Sequence, residues 1–125
     1  MLGYAVLGTN DTERASDFYD QLTMLLGSKC IHSFDRGFFY GETEFELAVV
    51  TPFDGNEAAT GNGNMVALKA SSREMVDRAY ALALKLGATD EGAPGIRGSE
   101  ESGFYGAYFR DADGNKLCVY RMGPA

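Results

Sequence analysis

Tyr4-Ala-Val-Leu7, Asn10-Asp-Thr-Glu13 and Leu26-Gly27 recur in the same order as Met65-Val-Ala-Leu68, Ser71-Ser-Arg-Glu74 and Leu86-Gly87. Each set spells a short apolar strand, a polar helix cap and a Leu-Gly helix stop, with further strands behind it. A supersecondary unit written twice predicts two like modules rather than one irregular domain. The modules are expected at about residues 1–51 and 64–123. Between them, about 52–63, Gly and Asn dominate and periodicity is lost, so the stretch reads as a linker.

In the first module a strand is expected over about 2–8. Asn10 is the expected N-cap, with Glu13 in the reciprocal position of a capping box. Ala15, Phe18, Tyr19, Leu22, Leu25 and Leu26 recur at helical spacing and form one apolar stripe. Gly27 ends the helix, because a left-handed residue there has no Cβ to clash. Strands follow at about 29–34, 37–41 and 44–51, with turns at Asp35-Arg-Gly37 and Gly41-Glu-Thr43. The second module has a strand at about 64–70 and a capping box from Ser71 and Glu74. Met75, Ala79, Leu82 and Leu86 mark its helix's buried face, and Gly87 ends it. Residues 90–103 read as a long loop holding one short strand at its start. The chain closes in a hairpin: Phe104 to Arg110, a turn at Asp111-Ala-Asp-Gly-Asn115, then Lys116 to Arg121. That turn's glycine comes too early for a calcium loop.

A chain of 125 residues is one domain's length, enough to bury a core without disulfides. No apolar run reaches the roughly 18–20 residues that span a bilayer. The N-terminus lacks a basic stretch followed by an apolar one, so a cytoplasmic protein with no membrane partner is expected. A net charge of −7 argues against nucleic acid. It suits solubility or a cationic ligand. Cys30 and Cys118 fall in predicted strands of opposite halves and are expected as buried thiols rather than a disulfide.

Phe109-Arg-Asp-Ala-Asp-Gly-Asn-Lys-Leu117 resembles the closing hairpin of the vicinal oxygen chelate superfamily. Leu7-Gly-Thr-Asn-Asp-Thr-Glu-Arg-Ala-Ser-Asp-Phe-Tyr19 resembles that superfamily's opening strand and helix. Glyoxalase I, bleomycin- and fosfomycin-resistance proteins, extradiol dioxygenases and methylmalonyl-CoA epimerase are members. The resemblance covers essentially the whole chain. It implies an α+β fold of two tandem βαβββ modules, their curled mixed sheets around a shared cavity, and a homodimer. Fold does not fix the reaction, which belongs to the site.

In metal-dependent members the ion is held from the first and last strands of each module, commonly by His and a carboxylate. By resemblance, the two His positions fall on Tyr4 and Met65, and the final-strand carboxylate falls on Cys118. The equivalent place in the first module is taken as Glu46. This set suits a divalent cation poorly, since such sites want several imidazoles and carboxylates. No metal ligands are therefore assigned and no cofactor is expected, although a divalent metal remains the alternative. The single histidine, His32, lies outside those places.

Strand alternation aims Tyr4, Val6 and Gly8 one way, and likewise Glu46 with Ala48, Met65 with Ala67 and Lys69, and Lys116 with Cys118 and Tyr120. Tyr4, Met65, Cys118, Tyr120 and Lys116 are the expected ligand-binding residues. Glu46 is the candidate catalytic residue, a general base if its surroundings are apolar, or else a carboxylate solvated or paired with Lys116 or Lys69. The expected function is capture of a small organic ligand without a catalytic metal. The alternative is a metal-dependent glyoxalase-like lyase, isomerase or dioxygenase with Glu46 as ligand or base.

Overall fold

A strand, a helix and three more strands are laid down twice. In the computed structural model, which describes residues 1–124, the chain divides into two units, Met1–Asn62 and the residues from Gly63 on. The first holds β1 (Ala5–Gly8), α1 (Thr12–Leu25), β2 (Lys29–Phe34), β3 (Gly37–Gly41) and β4 (Leu47–Val50). Its sheet runs β1-β4-β3-β2, with β1 parallel to β4 and the other pairs antiparallel. The second holds β5 (Val66–Lys69), α2 (Arg73–Lys85), β6 (Thr89–Ile96), β7 (Phe104–Arg110) and β8 (Lys116–Met122). Its sheet repeats the plan as β5-β8-β7-β6, with β5 parallel to β8. The fold is thus α+β, a tandem of βαβββ units. No helix among the described residues is long and apolar enough to cross a membrane.

Both helices start one residue later than the capping boxes predicted. Asp11, not Asn10, caps α1, accepting the Arg14 amide at 3.0 Å. Asn10 is used elsewhere: its Oδ1 accepts the Ala58 amide at 2.7 Å and ties down the segment that leaves β4. Ser72, not Ser71, caps α2, accepting the Met75 amide at 3.1 Å. Adjacent polar residues offer the same chemistry, so sequence alone gives no ground for choosing between them. The stops fall as expected, with Gly27 at φ +89° and Gly87 at φ +103°.

Helix α1 packs on β2, β3 and β4 through Ala15, Phe18, Tyr19, Leu22 and Thr23. The buried Thr23 hydroxyl is satisfied by donating to the Tyr19 carbonyl at 2.6 Å. Leu25 and Leu26 are only half-buried. Helix α2 packs on β6, β7 and β8 through Val76, Ala79 and Ala83. Met75, Leu82 and Leu86 are half-buried. The buried stripe is therefore rotated from the expected one and centred on small residues, with longer side chains splayed along its edges.

Three further expectations are corrected. Strands β1 and β5 begin at Ala5 and Val66, leaving Tyr4 and Met65 just before them. Much of the predicted loop is strand, since β6 runs through Ile96. Its register shifts around Gly92 hid the period-two signal, and Pro94 is tolerated because β6 is an edge strand. Cys30 is an exposed free thiol, whereas Cys118 is buried as expected.

The closing turn is built as a buried polar knot. Asp111 Oδ1 accepts the Asp113 and Asn115 amides at 3.0 and 2.9 Å, and Oδ2 accepts Asn115 Nδ2 at 2.9 Å. Both side-chain partners are buried.

Candidate functional site

Each helix covers one face of its sheet and leaves the opposite face to other uses. In the first module the register aligns Val6, Ala48, Phe39 and His32 in one row across that opposite face. Gly8, Val50, Gly37 and Phe34 form the next row. Five rings gather here. Phe39 is central, with ring centroids 5.4 Å from Tyr4, 4.4 Å from Phe45, 5.7 Å from Phe34 and 6.2 Å from His32. His32 also stacks on Phe34 at 6.3 Å, with 10° between the planes.

This aromatic face is open. Tyr4 is 48% exposed, Phe45 40% and Val6 56%. Its Phe34 end is walled by Arg36, whose guanidinium lies 5.5 Å from the Phe34 ring and 5.4 Å from the exposed Phe53 ring. Arg36 is held by donating to the Thr51 carbonyl at 2.7 Å. At the other end Glu44 and Glu46, both exposed, flank Phe45. The Glu46 carboxylate accepts the Glu42 amide at 3.0 Å, closing the turn before β4.

The second module carries different chemistry on the same frame. Its central row is Ala67, Cys118, Tyr108 and Gly92, followed by Lys69, Tyr120, Gly106 and Gly95. Arg97 and Lys116 both lie over the Tyr108 ring, at 5.3 and 5.6 Å. Phe104 and Tyr120 stack at 5.3 Å. Burial pushes the Cys118 thiol up, against the pull of its hydrogen bond with Tyr108 and the nearby Arg97 and Lys116 charges. Burial likewise raises the Tyr108 phenol, and the bond to Cys118 adds to it. A protonated, buried thiol is a poor nucleophile and a poor metal ligand.

The alternation read from sequence agrees with the register: Val6 and Gly8 share a face with Ala48 and Val50, where the Tyr4 ring meets Phe39, and Cys118 and Tyr120 share a face with Ala67 and Lys69. One equivalence fails. Cys118 pairs with Ala67, and the matching pair in the first module is Val6 with Ala48. Ala48 is therefore the counterpart of Cys118, and the counterpart of Glu46 is Lys116. The turns before β4 and β8 are built differently, and Glu46 and Cys118 do not fall in the same row.

The donor set does not fit a divalent cation. In the first module the family positions supply a phenol and, with Ala48 in the place of Cys118, a methyl group; in the second, a thioether and a buried thiol; the neighbouring Glu46 carboxylate is already bonded to a backbone amide. Among the described residues no group of three or more His, Cys, Asp or Glu is placed to hold a metal ion. Sequence reasoning missed His32 and Arg97. A register shift between Cys30 and His32 breaks the alternation that would have aimed the imidazole. Arg97 lay in a stretch read as loop, where no face is assigned.

The chain matches the family model described as the Glyoxalase/Bleomycin resistance protein/Dioxygenase superfamily over residues 1–119. A glyoxalase/bleomycin resistance protein from Albidiferax ferrireducens T118 is 34% identical, with a TM-score of 0.88 over 98% of this chain and 99% of that one. A glyoxalase/bleomycin resistance protein/dioxygenase family enzyme from Burkholderia phytofirmans PsJN is 18% identical, with a TM-score of 0.75 over 97% and 98%. Fosfomycin resistance protein FosX from Mesorhizobium loti is 17% identical, with a TM-score of 0.70 over 98% and 92%. At those lower identities the last two share the fold alone. No curated protein matches the chain by sequence.

Proposed function

Because the chain belongs to the Glyoxalase/Bleomycin resistance protein/Dioxygenase superfamily, we propose that it uses the family's open sheet faces to bind a small organic molecule without a catalytic metal. The observation that carries the reading is the exposed ring cluster of Tyr4, His32, Phe34, Phe39 and Phe45. Rings left open to solvent on a rigid sheet offer flat contact area at little entropic cost, which suits a planar guest. Glu44 and Glu46 at the rim, on a chain of net charge −7, favour a cationic substituent through ring faces and long-range attraction.

Catalysis with Glu46 as base or ligand receives less support, because its carboxylate closes the local turn. We further propose a homodimer, since exposed Leu2 and Met24 are apolar surface outside the ring cluster that a second copy would cover; light scattering that gives a monomer mass would reject this.

The test is a titration of the isotopically labelled full chain with tryptamine, followed by NMR. Saturable shifts at Tyr4, His32, Phe39 and Phe45 are expected. Phe39→Leu keeps the bulk but removes the central ring, and should weaken binding by about tenfold. No saturable shift at these residues, or full affinity in Phe39→Leu, rejects the reading.

A further inference from the structure

In an acidic chain, the open face of the second module gathers positive charge. Lys69, Arg97 and Lys116 share that face, and Arg97 and Lys116 converge on one tyrosine ring. Among the described residues no carboxylate pairs with Arg97 or Lys116; the acids Glu91 and Glu100 pair with Arg110 and Arg73 instead. Arg97 approaches the ring from the β6 side and Lys116 comes from β8, and Arg97 is a charge with no carboxylate partner beside the Phe104 end of the face.

The position of Arg97 is built rather than incidental. Its Nη2 donates to the Ala93 carbonyl at 2.6 Å, which anchors the guanidinium to its own strand. The space it occupies exists because two residues lack a side chain. A Cβ on Gly92 would lie 3.2 Å from Arg97 Nη2 and 3.2 Å from the Tyr108 ring, and one on Gly95 would lie 3.0 Å from Nη1. Gly92 also holds φ +155°, which other residues rarely adopt. Beside this pair, Phe104 and Tyr120 stack nearly parallel, 5° apart, with the Phe104 ring lying over Gly106.

We propose that this face is a site for an aromatic carboxylate, its carboxylate held by Arg97 and its ring laid against Phe104 and Tyr120, with Lys116 across the Tyr108 ring adding longer-range attraction. The planar guanidinium fork matches a carboxylate's two oxygens, and the Lys116 ammonium across the ring adds charge without demanding geometry. The half-buried surroundings strengthen such a pair beyond what an exposed one achieves. This goes beyond the ring cluster of the first module: other residues are used, and the ligand charge is opposite.

The test titrates the labelled full chain with benzoate, and with benzyl alcohol as its neutral match. Saturable shifts at Gly92, Tyr108, Cys118 and the Arg97 side chain are expected with benzoate alone, weakening as salt is added. Arg97→Gln should weaken benzoate by about tenfold and Lys116→Gln by about two- to threefold, and tryptamine binding at the first module should not change. Absence of saturable benzoate shifts at these residues, equal binding of benzyl alcohol, or unchanged affinity in both variants overturns the proposal. If tryptamine binds and benzoate does not, this site fails and the functional reading stands. If benzoate binds and tryptamine does not, the functional reading fails and this site stands.

Discussion

The two modules agree more closely in the strand residues that face their helices than in those on the other side. By register, Leu47 matches Leu117 and Val49 matches Val119, and all four are buried. On the open face His32 matches Gly92, Phe39 matches Tyr108, Ala48 matches Cys118 and Glu46 matches Lys116. A packed helix–sheet interface tolerates only a narrow range of volume and polarity. The open face is free of that constraint, so the divergence there is where differences in ligand chemistry are to be sought.

The turns that join the last two strands differ in the same way, and that difference predicts the largest stability effect. In the second module, the buried Asp111 carboxylate serves three N–H groups. In the first, the turn is closed by the exposed Glu46. Asp111→Ala strips the acceptor from donors that water cannot easily reach. It should cost about 3 kcal/mol of stability in urea denaturation. A loss below about 1 kcal/mol would mean the knot is ornamental and the two turns are equivalent.

An intermediate effect is expected where the helix-facing sides do differ, at Tyr40 and its counterpart Phe109. Both are fully buried, but the Tyr40 hydroxyl donates to Asp20 at 2.8 Å. Burial first, then that bond to a carboxylate, pushes the Tyr40 phenol well above its usual value. Unfolded tyrosine ionises near pH 10 while folded Tyr40 keeps its proton, so the folded state binds more protons above that pH. Its contribution is fully present below about pH 10 and is lost as pH rises from there toward the folded value. Tyr40→Phe should cost about 1–2 kcal/mol at neutral pH, and its stability should fall less steeply than the parent's in the alkaline range. Some slope should remain, because the Cys118 thiol, also raised by burial, acts in the same direction. Parallel alkaline profiles for the two proteins would refute the assignment.

Much of the scaffold was legible because it is written as periodicity and punctuation. The helix stripe from Ala15 to Leu22, the stops at Gly27 and Gly87, and the Asp111–Asn115 turn depend on local chemistry alone. What escaped depends on register. The α1 cap slipped by one residue, and Asn10 is claimed by Ala58, a partner far along the chain, while at α2 Ser72 offers the same chemistry as Ser71. Strand β6 was hidden by its bulges and by Pro94, and Arg97 with it. Alternation put Lys116, Cys118 and Tyr120 on one face of β8, and the register has them so. The gathering of four rings around Phe39 was not readable, since it requires knowing that β2 shifts register before His32.

Glu46 offers the smallest effect and the finest test of the contrast with Lys116. A glutamine there keeps an oxygen able to accept the Glu42 amide, so the turn should close as before. Glu46→Gln should change stability by less than about 0.5 kcal/mol, as exposed substitutions usually do. Its charge is a separate matter: with the carboxylate gone, the rim beside Phe45 attracts a cation less, and tryptamine should bind about two- to threefold more weakly. A stability loss above about 1.5 kcal/mol would show that the carboxylate is structural, making Glu46 the true analogue of Asp111. Unchanged stability with unchanged tryptamine affinity would show that the first module selects by its rings alone, leaving charge selection to the second.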